Sequence, residues 1–427
     1  MLNAIIDILE NNHQISDWII EDTAKSTLEL FFVRDRLDMH RRTNIHDYAV
    51  RVFVNFTDDG IDYKGDAEIS LGAGYSPDEC RAKIEDAVVS ASFVKNKYYD
   101  LPDDHGKPIA LPPIDNIGTL EDSYEAIFDT CFKPRPYPSK INSLELFATN
   151  ATTRIVTSHG LDMTFPQSSF MFEPVTDADI GKEPVEIFND YTLRTPDLDQ
   201  IDAKIDRQLR ETEERSKAVQ AQPLKHTRVI LTGNAVPTFL SCYTWQATDR
   251  PIYKQQSRAK LGERFMPDNA RQTLNIRIDP TIPSPFARPV DREGKRLEAY
   301  PLYRDGVVEN LRTGARYSHY LGIPNRGTTP CFSVAPGDQP LAHYMQDDYT
   351  EIVTFSSFLC DPLTGDFGGE FRLARQHKGN QTSYITGGAI ADNLFNCQAN
   401  MCFSKELETY DVAIAPKAII LNGLDLT

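Results

Sequence analysis

The chain has 427 residues, of which 40% are hydrophobic and 25% charged, the composition of a folded protein with more than one core. Its formal net charge of -17 repels nucleic-acid phosphates and anionic membrane surfaces, so we expect neither as a partner. No apolar stretch is long enough for a membrane helix. Residues 1–14 carry Asp7 and Glu10 among their apolar residues, which predicts a short amphipathic helix rather than a signal peptide. We therefore expect the protein to be cytoplasmic.

The next segments predict strands followed by a second helix. Residues 26–72 alternate apolar and polar side chains, with breaks at turn-forming residues such as those of the TDDG stretch. Ser76, Pro77 and Glu79 then form the pattern of a capping box, which predicts the start of a helix at residue 76. Residues 100–118 are rich in proline and lack a period, so they predict a long loop.

A second passage repeats this order. Residues 120–132 predict a helix, and residues 141–175 predict strands joined by an SHG turn. Residues 197–221 predict a long charged helix. The apolar stripe of that helix is narrow, with Ile201, Ile205 and Leu209, so we expect it to lie on a sheet with its other faces in water.

The best candidate for a domain boundary is the segment 222–226. We therefore predict an α+β protein of two domains, an N-terminal domain of helices and antiparallel sheet over 1–222 and a β-rich domain over 223–427. The second domain opens with a predicted helix over 234–245, whose apolar stripe recurs at helical spacing. The stripe consists of Val236, Phe239, Leu240 and Tyr243.

The sequence offers few residues for catalysis. None of the nine histidines lies three to five residues from another, so no helical turn presents two imidazoles to a metal. Nucleophile-elbow, Walker and dinucleotide motifs are absent from the sequence. Seven dispersed cysteines predict free thiols rather than disulfides, although Cys331 or Cys360 could serve a hydrolase as nucleophile. We expect Asp291 and Asp366 to fix turns through backbone amides, with general acid–base catalysis as the alternative.

Residues 291–322 resemble the TldD/PmbA family, also called modulators of DNA gyrase. The likeness continues in the basic run 253–265, in the turn 364–367 and in the C-terminal strand within 415–426, and the hairpin 148–165 resembles the first domain of that family. The positions that match the motifs of the family are Asp291, Glu293, Gly294, Gly306, Gly365 and Asp366.

The resemblance implies that the chain has no zinc site of its own. TldD-like members carry a His-Glu-x-x-x-His helix and a later cysteine ligand, and TldE/PmbA-like members lack that motif. The equivalent helix here, 234–245, presents Thr238, Ser241 and Cys242 and contains neither His nor Glu. No residue is therefore expected to be catalytic or to bind metal, and zinc is expected only in a TldD-like partner.

The resemblance further implies a heterodimer with a TldD-like subunit, or a homodimer, that acts on unfolded peptides. This chain would then be a non-catalytic subunit of a zinc-dependent peptidase complex. It would form part of the chamber wall and contribute to peptide binding. The alternatives are an independent hydrolase with a cysteine-based site and a peptide-binding module without a peptidase partner. The candidate contacts with peptide or partner are Thr238, Ser241, Cys242, Tyr253, Lys254 and Arg258.

Overall fold

The structure, a computed structural model, describes residues 1–103, 106–111, 120–180 and 183–427. Most of the loop predicted over 100–118 therefore lies outside the described residues. The elements of the first half are α1 (Leu2–Glu10), β1 (Asp17–Val33), β2 (Arg36–Asp58), β3 (Ile61–Gly72), α2 (Pro77–Ser92), α3 (Leu120–Phe132), β4 (Lys140–Thr157), β5 (Asp162–Ala178), β6 (Val185–Phe188), β7 (Tyr191–Leu193) and α4 (Leu198–Ser216).

The first half is built around one sheet with the strand order β3-β2-β1-β4-β5-β6, in which β7 also pairs with β5. Every pairing between its described strands is antiparallel. Because side chains alternate along a strand, Trp18, Ile20 and Phe32 of β1 point to the helices, and Ile19 points to the opposite face. α1 and α2 cover one end of the helical face, and α3 and α4 cover the other.

The predicted helices of this half are confirmed. The capping box at the start of α2 is present, since Ser76 Oγ accepts from the Glu79 amide and Glu79 Oε2 accepts from the Ser76 amide at 2.7 Å. The expectation that α4 has only one buried face is wrong. Its Glu211 and Glu214 are 6% and 8% exposed, because a second wall from the other half of the chain covers them.

The second half contains two further sheets. Its elements are β8 (Val219–Gln220), β9 (Leu224–Thr232), α5 (Ala235–Gln246), α6 (Asp249–Tyr253), β10 (Ile276–Ile278), β11 (Tyr300–Arg304), β12 (Val307–Val308), α7 (Ala315–Leu321), β13 (Phe332–Val334), α8 (Leu341–Tyr344), β14 (Tyr349–Cys360), β15 (Asp366–Lys378), β16 (Gln381–Thr386), β17 (Gly388–Asn393), α9 (Leu394–Cys397), β18 (Cys402–Phe403), β19 (Leu407–Thr409), β20 (Ala413–Pro416) and β21 (Ala418–Leu426).

One sheet has the order β12-β11-β10-β13-β20-β19, and the other has the order β14-β9-β21-β17-β15-β16-β8. The helix α5 packs into a core that both sheets share, and its predicted apolar stripe is fully buried there. The α+β class is thereby confirmed. β8 precedes the expected boundary at 222 but pairs with β16, and the division into 1–222 and 223–427 stays a prediction.

Besides their contact at α4, the two halves also meet on the opposite face of the first sheet. Ile19 and Ile155 form one apolar cluster there with Val290 of the second half. Charged pairs surround this contact, because Glu21 binds both Arg288 and Arg292, at 2.8 and 2.9 Å. In the part of the chain that the structure describes, no helix combines the length and the apolar character needed to cross a membrane.

Candidate functional site

The turn at Asp291 is buried and is held together by the carboxylate of that residue. Asp291 is 2% exposed, and its carboxylate accepts hydrogen bonds from the amides of Glu293, Lys295 and Thr328 at 2.9, 2.9 and 3.0 Å. Burial raises the pKa of this carboxyl to about 6. The interpretation of Asp291 as a residue that fixes its turn is confirmed. Gly294 has a φ of +85°, and a Cβ there would lie 2.9 Å from Thr157, so the turn needs glycine.

Two more carboxylates bind backbone amides beside this turn. Glu293 accepts from the Ala315 amide at 2.8 Å, and Asp249 accepts from the Gly314 amide at 2.8 Å. Burial raises the pKa of Asp249 to about 6 as well. Sequence reasoning missed Asp249, although an acidic residue that opens a helix just before proline is a signal for such a role.

The other motif residues lie in two separate turns. Gly306 has a φ of +77° and donates its amide to the Leu274 carbonyl at 2.9 Å. The expectation for Asp366 is wrong, because its carboxylate accepts from the side-chain amide of Asn393 at 2.8 Å instead of from backbone amides. That hydrogen bond lowers the pKa of Asp366. The backbone amides of the turn are bound by Asp361, which accepts from Leu363 at 2.8 Å.

The polar face of α5 carries hydroxyl groups that the helix itself satisfies. Thr238 Oγ1 donates to the Asn234 carbonyl at 2.9 Å, and Ser241 Oγ donates to the Thr238 carbonyl at 2.7 Å. The expectation of free thiols is wrong for Cys242, which forms a disulfide with Cys360. Among the described residues the remaining cysteines are free, namely Cys80, Cys131, Cys331, Cys397 and Cys402.

This face of α5 borders a cleft between the two halves of the chain. Thr238 and Ser241 line a cavity of about 550 Å³, together with all of β7. A second cavity of about 420 Å³ adjoins it and is lined by α4, β14 and residue Thr238 again. The two cavities form one cleft because they share five lining residues. These are Tyr191, Lys204, Asn234, Thr238 and Tyr410.

The remaining candidate contacts lie elsewhere. The Tyr253 ring packs against those of Tyr317 and Tyr320, with centroids 5.6 and 5.2 Å apart. The Arg258 guanidinium lies 3.8 Å from the ring centroid of Phe395, and Lys254 is exposed. Within the described part of the chain, none of Tyr253, Lys254 and Arg258 lines the cleft.

Two strands along the cleft have an unpaired edge. β7 is hydrogen-bonded to β5 alone among the described strands, and β19 is likewise bonded to β20 alone. Both strands line the cleft, β7 with its three residues and β19 with Glu408 and Thr409. A strand edge of this kind can hydrogen-bond to an extended chain.

A charged network also lines the cleft. Arg375 binds Glu214 and Glu351 at 2.8 and 3.1 Å, and Arg207 binds Glu408 at 3.3 Å. Burial raises the pKa of Glu211 to about 7, against the lowering effect of Arg207 and Arg375. Residues 204, 207 and 211 recur at the spacing of one helix face, but a charged face of this kind is typical of a solvated helix and does not predict the wall of a cleft.

The residues of this site do not fit the zinc that the family resemblance implies for its active members. Hydroxyl groups occupy the polar face of α5, and the thiol of Cys242 is bonded to Cys360. Across residues 1–103, 106–111, 120–180 and 183–427, no three His, Cys, Asp or Glu side chains are grouped to hold a metal ion. Cys331 is fully buried, which raises the pKa of its thiol and disfavours the nucleophilic thiolate.

The two sheets around α5 form a domain of the metallopeptidase-related class. Residues 224–427 match the family model described as the PmbA/TldA metallopeptidase C-terminal domain. No curated protein sequence matches the chain significantly. Residues 224–427 therefore carry the C-terminal domain of the TldD/PmbA family.

Solved structures share the fold over the whole chain. TldE from Thermococcus kodakarensis is 14% identical with a TM-score of 0.78, over 99% of this chain and 100% of its own. A putative modulator of DNA gyrase from Thermotoga maritima is 13% identical with a TM-score of 0.76, over 100% and 99%. A second such protein, from Bacteroides thetaiotaomicron, is 14% identical with a TM-score of 0.77, over 100% and 97%.

Proposed function

We propose that the chain is a non-catalytic, TldE/PmbA-like subunit of a zinc-dependent peptidase complex that processes or degrades unfolded peptides. The observation that carries this proposal is the polar face of α5. It borders the cleft, as a catalytic helix would, but the residues it presents there include Thr238 and Ser241, whereas Cys242 is buried in a disulfide and does not line the cleft. Hydroxyl groups of this kind cannot hold a catalytic zinc ion without other ligands.

The cleft supports a role in binding extended peptides. The free edges of β7 and β19 offer backbone donors and acceptors on two sides of it. A peptide that adds to such an edge gains main-chain hydrogen bonds without a demand for a particular sequence. Low sequence demand suits a protein that acts on unfolded chains of many sequences. Thr238 and Ser241 are accordingly proposed as peptide contacts.

The partner proposed for this chain is a TldD-like subunit in a heterodimer, with a homodimer as the alternative. The surface of Tyr253, Lys254 and Arg258 lies outside the cleft, and we assign it to contact with that partner. Zinc would be held by the partner, and the complex would work in the cytoplasm. Five of the seven cysteines are free, as is usual in the cytoplasm, and the Cys242–Cys360 disulfide is an exception to that pattern.

The test measures zinc content and peptide cleavage of the purified chain, alone and with a TldD-like partner from the same host. We expect less than stoichiometric zinc in the chain alone, no cleavage of an unstructured peptide by it, and cleavage once the partner is added. Stoichiometric zinc in the isolated chain, with cleavage that a chelator abolishes, would overturn the proposal. Peptide binding without any peptidase partner in a pull-down would favour the binding module.

A further inference from the structure

A lysine lies where the two cavities meet. Lys204 of α4 lines both of them. Its ammonium group lies 4.9 Å from the ring centroid of Tyr191, which also lines both cavities. Lys204 is half-buried, and within the described part of the chain it makes no direct ion pair, although the carboxylates of Glu408 and Asp411 are near enough to act on its charge.

The wall around Lys204 is more basic than the chain as a whole. The cavity of about 420 Å³ is lined by five basic and three acidic side chains, although the net charge of the chain is -17. The basic residues are Lys204, Arg207, Arg210, Arg375 and Lys417, and the acidic ones are Glu211, Glu351 and Glu408. Basic side chains therefore outnumber acidic ones in this cavity, and such an excess attracts ligands of negative charge.

Two of the five basic residues in this wall have ion-pair partners. Arg375 is bound by Glu214 and Glu351, and Arg207 is bound by Glu408. Glu211 is 6% exposed and lies close to both arginines. These pairs leave Lys204, Arg210 and Lys417 without an ion pair among the described residues, and of these three only Lys204 also lines the cavity of about 550 Å³.

The cavity of about 550 Å³ holds a second such cation. Arg194 follows β7 and is 7% exposed, and its Nη1 is buried with no hydrogen-bond partner among the described residues. Three carboxylates also line this cavity. Asp197 caps α4 through the Gln200 amide, Asp411 accepts from the Val412 amide at 2.8 Å, and Asp190 is exposed.

We propose that the cleft binds a carboxylate of the peptide, with Lys204 as its anchor and Arg194 as a second cation. A buried or half-buried cation without a partner is unfavourable, and a ligand carboxylate that pairs with it is bound more tightly for that reason. The inference rests on the proposed function, which makes a peptide the ligand. The carboxylate is either the free C-terminus of a peptide or the side chain of Asp or Glu.

The test compares three fluorescent peptides of one neutral, unstructured sequence. The first has both ends blocked, the second has a free C-terminal carboxylate, and the third has blocked ends and one central Glu. Their affinities are measured on the full chain together with its TldD-like partner. The variants are Lys204→Met, which removes the charge and keeps the length of the side chain, and Lys83→Met as control. Lys83 also lies on a helix beside a tyrosine ring, at 5.5 Å from Tyr75, but on α2 and outside the cleft.

We expect Lys204→Met to weaken binding of at least one carboxylate peptide by about tenfold and to leave the blocked peptide unchanged. The peptide that responds identifies the source of the carboxylate. Lys83→Met should change none of the affinities, and the melting temperature of each variant reports on folding. Equal affinities of wild type and Lys204→Met for all three peptides would overturn the inference and leave the proposed function standing. Failure of the complex to bind any peptide would instead overturn the proposed function.

Discussion

The substitution Asp291→Asn tests the role of the buried carboxylate in the motif turn. The substitution keeps one acceptor oxygen but turns an NH2 group toward one of the three amides that the carboxylate binds. A buried amide left without an acceptor costs about 1–3 kcal/mol. The opposing effect is the removal of a buried charge. Because the pKa of Asp291 is about 6 in the folded protein instead of 3.8, the free energy of unfolding is lower than with Asp291 fully protonated. The difference is about 3 kcal/mol at pH 7 and about half of that at pH 5.

The sign of the pH dependence follows from the raised pKa. The contribution of Asp291 to stability is largest below its unfolded pKa and is lost as the pH rises through about 6. The variant lacks this titration. We therefore expect the free energy of unfolding of the variant, relative to that of wild type, to rise by about 1 kcal/mol between pH 5 and pH 7.

The assay is urea unfolding at both pH values, followed by tryptophan fluorescence. Trp18 and Trp245 provide one probe in each half of the chain. Asp366→Asn is the control, because Asp366 is exposed and its pKa is lowered by Asn393, so its contribution changes only in more acidic solution. The reasoning would be refuted if the free energy of unfolding of Asp291→Asn, relative to that of wild type, stayed constant or fell between pH 5 and pH 7.

Three further predictions concern stability and reactivity. Gly365→Ala should lower the free energy of unfolding by about 2–4 kcal/mol, because φ is +83° and the new Cβ would meet an aromatic ring. Gly379→Ala is the control: φ is +57° but the Cβ would lie in open space, so the cost should be about 1 kcal/mol. Arg375→Met should lower the free energy of unfolding in urea by about 3–5 kcal/mol, because it leaves two buried carboxylates unpaired. Arg304→Met is the control, because it breaks only an exposed pair and should leave urea unfolding nearly unchanged. Cys331 should resist iodoacetamide in the native protein and react after unfolding, as mass spectrometry would show; rapid native labelling would contradict its burial.

The sequence by itself determined the local elements of this protein. The apolar stripe of α5 and the capping box of α2 are set by residues within one or two helical turns of each other, so their patterns can be read directly. The turn at Asp291 belongs to the same class, since two of its three amide partners lie within four residues along the chain. The motif positions follow from the family resemblance, whereas the role of Asp291 in fixing its turn can be predicted from its neighbours in the sequence.

Only the tertiary structure decided which surfaces are covered. The charged side of α4 is typical of a solvated helix face, yet Glu214 is buried against Arg375, which lies 161 residues further along the chain. Cys242 and Cys360 are likewise brought together across a separation of 118 residues. Periodicity shows that a helix has a polar side, but whether that side meets water or a second wall depends on distant segments. The cleft exists between such segments, and no local pattern contains it.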